Sequence, residues 1–339
     1  FIKAVQENLE LQLRNSHEFK DWSLKNGIRK KDDIKRIEDL PFFPSNLFKY
    51  LEMRTSSEDH KLIKSSGTTS QLKSKIILDK ENAKRQTLVL SKILSSALGK
   101  KRRPFLIIDA DPKSSKNFEL TARFAGMSGY LMAASERNYL LKEEESLQLD
   151  EKNLFKLIEK YSSEGKSPVI IGYTYLVFEK LLSLLERTEN QVKCPIGATF
   201  IHFGGWKKLK DRKISKKNLN KLITKYLGIT NSNIIDIYGF TEQLGTVYPG
   251  FGDEGCMVSA YSEVIVRDVN NLEPVEDGET GFLQFISPIA TSYPGLSILN
   301  DDLGRVVSRK NNIEFEIIGR PEDSEPRGCG DTLPENYFI

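Results

Sequence analysis

Pro104-Phe105-Leu106-Ile107-Ile108-Asp109 is a short apolar run closed by an acid. A strand with one face in water alternates apolar and polar residues; a continuous run is buried on both faces, as in a parallel sheet. The same signature recurs downstream in Pro168-Val169-Ile170-Ile171-Gly172, in Ala198–Phe203 and in Ile234–Tyr238. Between these runs lie stretches with helical spacing: Glu81–Leu98, Leu120–Ala125, Glu151–Tyr161, Leu176 to Glu186, and Lys216–Leu227. In Glu151–Tyr161, Leu154, Leu157 and Ile158 share one face. Gly129–Ala133 and Ile76–Leu78 read as further short strands. Strands alternating with helices at this spacing predict an α/β fold, a twisted and mostly parallel sheet with helices on both faces.

Outside that region the pattern changes. Residues 1–60 read as helical and polar, broken by Leu40-Pro41-Phe42-Phe43-Pro44. After residue 255, Val258–Arg267, Gly281–Ile286 and Ile313–Ile318 read as strands joined by turns at Asp277-Gly278 and Tyr293-Pro294-Gly295. They predict a C-terminal antiparallel β subdomain. The expected division is an α/β body over 1–254 with its N-terminal helical segment, a β-rich subdomain over 255–320, and a short tail over 321–339.

Composition bounds the function. The 339 residues are 39% hydrophobic and 29% charged, with a formal net charge of +3. That near-neutral balance argues against an electrostatic nucleic-acid binder, and the basic run Lys207–Lys217 reads as a solvated face. No apolar stretch approaches the roughly 18–20 residues that span a bilayer. Cys194, Cys256 and Cys329 lack metal-ligand spacing and suggest a reducing cytoplasm. The histidines are His17, His60 and His202, too few for a His-rich metal site.

Ligands of such sheets sit at the carboxyl ends of the strands. Ser65-Ser66-Gly67-Thr68-Thr69-Ser70-Gln71-Leu72-Lys73 combines a glycine, hydroxyl groups and a cation, a composition that can wrap a polyphosphate or simply form a solvated loop. His202-Phe203-Gly204-Gly205-Trp206 ends one strand, and its glycines either expose backbone to a flat base or make a tight turn. Tyr238-Gly239-Phe240-Thr241-Glu242 ends another; Glu242 suits Mg²⁺ and Thr241 suits phosphate or a turn cap. Asp301-Asp302-Leu303-Gly304-Arg305 and Gly319-Arg320-Pro321-Glu322-Asp323 supply an acid for ribose hydroxyls and a second nucleotide anchor.

In this order, with Gly278-Glu279 and Gly281 between them, the segments resemble the adenylate-forming superfamily over residues 65–330. That resemblance implies ATP, Mg²⁺ and a carboxylic acid combining to acyl-AMP and pyrophosphate. It implies phosphate contacts from Ser65–Ser70 and Lys73, adenine contacts from Gly204, Gly205 and Tyr238, and phosphate and Mg²⁺ contacts from Thr241 and Glu242. Ribose contacts fall to Asp302 and Arg320. Superfamily members normally continue into a lid domain that carries the catalytic lysine; here only residues 321–339 follow Arg320. Ser70 stands where a glycine is usual, and Leu72 where a proline is usual.

The lidless form, with His202–Lys208 and Arg327-Gly328-Cys329-Gly330, looks like the LuxE family of acyl-protein synthetases. The likeness implies transfer of a fatty acyl group to Cys329 as a thioester, for delivery to a partner acyl reductase. A neighbouring Arg327 favours the thiolate. Lys207 and Lys208 are candidates for the charge a lid lysine would bring, and His202 either orients carboxylate or phosphate or is a packed strand-end histidine. Tyr173, Tyr175, Phe178 and Phe203 are candidates for an acyl pocket, although apolar residues beside a strand are more often core. A CoA ligase of the phenylacetate type and a non-catalytic nucleotide-binding module are the alternatives.

Overall fold

The computed structural model of the protein describes all residues except 66–71, 114–122, 125, 144–145, 207–211, 311 and 322–339. The chain forms two compact units, each drawn from separate stretches of sequence. One comprises residues 91–238 and 249–256; the other comprises 1–90, 239–248 and 257–339.

The first unit is the parallel sheet. Its strands run in the spatial order Ile234–Tyr238, Thr199–Phe203, Val169–Tyr173, Arg103–Ala110, Ala134–Glu143, all parallel, with Leu147–Leu149 antiparallel at the edge. Phe105, Leu106, Ile107 and Ile108 are fully buried, as a strand covered on both faces requires. Helix Glu151–Ser163 starts where the Asp150 side chain accepts from Asn153 N, and helix Lys216–Leu227 starts at a Ser215 cap and ends at Gly228 with φ +65°. Leu154, Ile158, Leu219 and Ile223 pack with Ile170 and Phe200 in one core.

Two expectations are corrected in this unit. Gly129–Ala133 is not a strand: Tyr130–Ala133 forms a 3₁₀ turn that buries Leu131, and the strand begins at Ala134. That strand, Ala-Ser-Glu-Arg-Asn-Tyr-Leu-Leu-Lys-Glu, lies next to the sheet edge, where polar side chains reach water and no apolar run is needed. The helix expected from Leu176 begins at Thr174 and passes through a π-helical stretch, Val177–Leu182. The expected helix over Leu120–Ala125 falls largely outside the described residues.

In the second unit, antiparallel strands Glu263–Arg267, Gly281–Ile286, Ser297–Ser308 and Glu314–Gly319 pair in chain order, and Phe43–Pro44 adds a short parallel contact to Ser297–Ser308. Asp302 therefore sits within a strand, not at a strand end as the sequence suggested. The expected strand over Val258–Arg267 starts later, at Glu263, because Ser259–Ser262 makes a turn. Helices Ile2–Asn15 and His17–Lys25 supply Val5, Leu9 and Phe19 to a core with Phe43, Phe48, Ile265, Ile286 and Ile298. A separate hairpin pairs His60–Lys64 with Lys75–Asp79.

The loop between Ile286 and Ser297 is buried, so its carbonyls need partners. Side-chain amides provide them: Asn8 donates to Pro288 O and Ala290 O, Gln12 to Ala290 O and Tyr293 O, and Gln243 to Gly295 O as well as to Phe285 O in the preceding strand. Asn82 accepts from Thr291 N and Oγ1. The helix at the chain start is thus tied by hydrogen bonds to a loop near its end.

Candidate active site

Each unit carries its own group of the residues singled out above. In the antiparallel unit, the hairpin register runs from His60↔Asp79 to Lys64↔Lys75. It is extended by Ser65 N donating to Ser74 O (3.0 Å) and Ser74 N donating to Ser65 Oγ (2.9 Å). This serine pair closes the base of the hydroxyl-rich loop. Ser66, Gly67, Thr68, Thr69 and Ser70 lie outside the described residues; Lys73 is described and half-buried.

Glu242 stands in the 3₁₀ turn Thr241–Gln243, buried, and accepts a hydrogen bond from Ser74 Oγ. Thr241 and Gly239 are half-buried beside it in sequence. The nearby Tyr293 phenol is fully buried; burial first, and the Glu242 charge second, push its pKa far up, so it stays protonated. Gln86 Nε2 donates to its hydroxyl at 3.3 Å. Asp302 and Arg320 are brought together: Arg320 Nε donates to Asp302 Oδ1, with side chains 3% and 1% exposed respectively. Among the described residues no group of three or more His, Cys, Asp or Glu side chains forms a ready metal cage.

In the parallel unit, His202 lies in register between Gly172 and Asp236. Thr174 Oγ1 donates to Phe203 O (3.2 Å), so the same oxygen accepts from His202 Nδ1–H (3.1 Å). This pairing assigns the tautomer and leaves Nε2 a bare acceptor, buried and without a partner among the described residues. Asp236 Oδ1 lies 3.6 Å from Nδ1, and Lys216 Nζ lies 3.9 Å from Asp236 Oδ2. Burial lowers the His202 pKa; the Asp236 charge opposes that shift and Lys216 adds to it. The folded state therefore favours the neutral ring. Stability from this group is complete above the ordinary histidine pKa and is lost as pH falls below about 6.5 toward the lowered folded value. Urea midpoints should drop between pH 7.5 and pH 5.5, and His202→Asn should flatten that slope; an unchanged slope would remove His202 from the account.

The aromatic candidates divide. Tyr173 and Phe203 rings lie 4.6 Å apart, Tyr130 joins Phe203 at 4.9 Å, and Tyr175 joins Tyr173 at 6.1 Å. Phe178 instead packs edge-on against Trp206. Tyr173 is wedged between glycines: a Cβ on Gly126 would meet its hydroxyl at 2.5 Å, and one on Gly204, at φ +74°, would meet its ring at 3.2 Å. Its hydroxyl donates to Arg123 O at 2.9 Å. Gly205 is half-buried, and Tyr238 is buried at the end of its strand. Lys207 and Lys208 lie outside the described residues, as does Cys329. Cys194 and Cys256 are buried, and burial pushes the Cys194 thiol up to about 12, far from a working nucleophile.

The family model described as "Acyl-protein synthetase, LuxE" matches residues 1–338. The chain belongs to the LuxE acyl-protein synthetase family. It is an acid-activating ligase. This LuxE-family chain is 23% identical to the long-chain-fatty-acid–luciferin-component ligase of Aliivibrio fischeri, over 96% of the chain and 86% of that protein. The Vibrio harveyi protein of the same name is 20% identical over 99% of the chain and 87% of its own length. Among solved structures, 2-hydroxyisobutyryl-CoA ligase with a bound acyl-adenylate superposes with a TM-score of 0.64 at 12% identity, covering 98% of this chain and 69% of that one. MatB from Rhodopseudomonas palustris gives 0.51 at 13%, covering 77% and 48%. These likenesses establish the adenylate-forming fold: a mostly parallel α/β sheet plus antiparallel strands, with no lid among the described residues of this LuxE-family chain.

Two residues of the site were not singled out from the sequence. Ser74 is one; the hydrophobic spacing of its strand gave no reason to pick it. Arg123 is the other. It pairs with Asp109 through Nε–Oδ2 at 2.8 Å and Nη2–Oδ1 at 3.0 Å, both side chains nearly buried. Asp109 closes the apolar run Phe105–Ile108, and an acid at the end of a buried strand is the one signal the sequence offers for the pair.

Proposed function

We propose that the protein activates a carboxylic acid, in the first instance a long-chain fatty acid, with ATP and passes the acyl group to its own Cys329. A carboxylate oxygen attacks the α-phosphorus of ATP; the bond to pyrophosphate breaks, and acyl-AMP forms. The Cys329 thiolate then attacks the acyl carbonyl, AMP leaves, and a thioester remains. One observation above the rest supports the reading: the loop-closing Ser65, the buried Glu242 and the buried Asp302–Arg320 ion pair belong to the same unit of a LuxE-family chain.

The roles follow from the chemistry of each group. Hydroxyls and backbone N–H groups of Ser65–Ser70, with Lys73, bind phosphate. Gly204, Gly205 and Tyr238 take the adenine, Asp302 and Arg320 the ribose. Lys207 and Lys208 meet the charge of the α-phosphate and carboxylate. His202 does not join them: its ring is buried and neutral, with Nδ1–H bound to Thr174 and Nε2 a bare acceptor, so it fits a packed strand-end histidine better than an anion contact. Tyr173, Tyr175 and Phe203 line the acyl chain. Mg²⁺ fits a hard oxygen site of one carboxylate, Glu242, with Thr241 and phosphate oxygens, and when bound it would neutralise phosphate charge. The buried state of Cys194 and Cys256 favours Cys329 as acceptor. Delivery to an acyl reductase, in the cytoplasm, completes the reading; no described helix is long and apolar enough to cross a membrane.

The test is intact-protein mass spectrometry after incubation with ATP, Mg²⁺ and a panel of carboxylic acids. The expected result is a hydroxylamine-sensitive acyl adduct on Cys329. Cys329→Ser should lose the adduct and keep acid-dependent pyrophosphate release. A variant that keeps both would remove Cys329 from the mechanism, and AMP release accelerated by CoA would favour a CoA ligase.

A further inference from the structure

Ser74 occupies a position the strand pattern reserves for an apolar residue. It lies one residue before the strand Lys75–Asp79 and two before Ile76, which belongs to the apolar core of its unit. Ser74 itself is 1% exposed. A buried hydroxyl is costly unless it is hydrogen-bonded. Its partner is Glu242, an equally buried acid 168 positions away in the chain.

The backbone of Ser74 is fixed independently. Its N–H donates to Ser65 Oγ and its carbonyl accepts from Ser65 N–H. One residue thus joins three things: both ends of the hydroxyl-rich loop and the carboxylate of the Tyr-Gly-x-Thr-Glu segment. A serine hydroxyl has a single proton to give, and here it goes to Glu242 Oε1. At this burial water does not replace it.

We propose that Ser74 is a positioning residue for the adenylation step: its hydroxyl sets the orientation of Glu242 relative to the base of the phosphate loop. The inference rests on the function proposed above. The hydroxyl proton of Ser74 is committed to Glu242. It acts through Glu242, so its effect falls on turnover more than on nucleotide affinity.

A double-mutant cycle tests it, read as acid-dependent ATP–pyrophosphate exchange with Ser74→Ala, Glu242→Gln and the pair. Ser74→Ala is expected to lower kcat about tenfold, the scale of one lost hydrogen bond to a charged group, with the KM for ATP changed less than about twofold. In the Glu242→Gln background the same substitution should cost less than about twofold, because the group it positions is already altered. Calorimetry of a non-hydrolysable ATP analogue gives a readout apart from activity: the tightening of Kd by Mg²⁺ should be smaller in Ser74→Ala than in wild type. Losses that multiply across the two sites overturn the inference, as does a Ser74→Ala enzyme with wild-type kcat. Should Ser74→Ala fail to fold, Ser74→Thr carries the test. It keeps the hydroxyl and is expected within about threefold of wild type; a folded Ser74→Thr enzyme with a tenfold loss overturns the idea. A wild-type protein that exchanges with no acid overturns the functional reading and this inference together, whereas exchange with multiplying losses overturns the inference alone.

Discussion

Asp302→Ala is expected to destabilise the protein by about 3–5 kcal/mol and to abolish pyrophosphate exchange. The reason is burial. The Asp302 and Arg320 side chains are 1% and 3% exposed, so their ion pair is cut off from water. Taking two charges out of water costs several kcal/mol each, and their attraction only repays that cost while both are present. Alanine at 302 removes the carboxylate and keeps the buried guanidinium. The paired replacement Asp302→Leu with Arg320→Met removes both charges at similar volume, and its urea midpoint should return close to wild type. Exchange should stay lost in the double variant, because the proposed ribose contacts are gone. That combination separates the two roles: stability follows the balance of charge, and activity follows the identity of the groups. An Asp302→Ala protein with a wild-type urea midpoint would deny the pair its structural role; a double variant that still exchanges would deny it a role with nucleotide.

The same pair shows how far the sequence could be read. Asp302 and Arg320 were singled out as motif positions, but the strand that holds Asp302 was not. Ser297–Ser308 reads Ser-Ile-Leu-Asn-Asp-Asp-Leu-Gly-Arg-Val-Val-Ser, too polar at its centre to look like a buried strand. Its buried polar groups are satisfied from far away: Asn300 from Ser45, Asp302 from Arg320, Ser297 from Gln284. Local periodicity carries no trace of partners so distant. The parallel strands were legible for the opposite reason. Phe105–Ile108 and Val169–Ile171 are buried on both faces against apolar groups, and a run of apolar letters records that directly. The hairpin strand His60–Lys64 is exposed or half-buried throughout and left no apolar signature. Among the site residues, glycines and acids in motif order were visible, whereas Ser74 and Arg123 are defined only by what they touch.

Asp109→Ala should be the second large effect, again about 3–5 kcal/mol. Asp109 closes the strand Arg103–Ala110, and Arg123 grips it with two hydrogen bonds. Burial works against the Arg123 charge, but the Asp109 hydrogen bonds and charge outweigh it and hold the guanidinium above its usual pKa. Arg123→Ala should cost a similar amount, and the double variant much less than the sum, since each single change leaves a buried charge without its counterpart. The consequence reaches the aromatic cluster. Tyr173 donates to the backbone carbonyl of Arg123 and is held between Gly126 and Gly204. With the ion pair gone, the segment that fixes Tyr173 loses its anchor, and the proposed acyl wall loses its shape. In the folded fraction of Asp109→Ala, the KM for ATP should stay within about twofold of wild type, while kcat/KM values across acids of increasing chain length should converge. A change of one methylene in an apolar pocket is worth about 1–3 kcal/mol, so a pocket that still held its wall would keep its preference. Unchanged selectivity would place Tyr173 in the core and move the acyl pocket elsewhere.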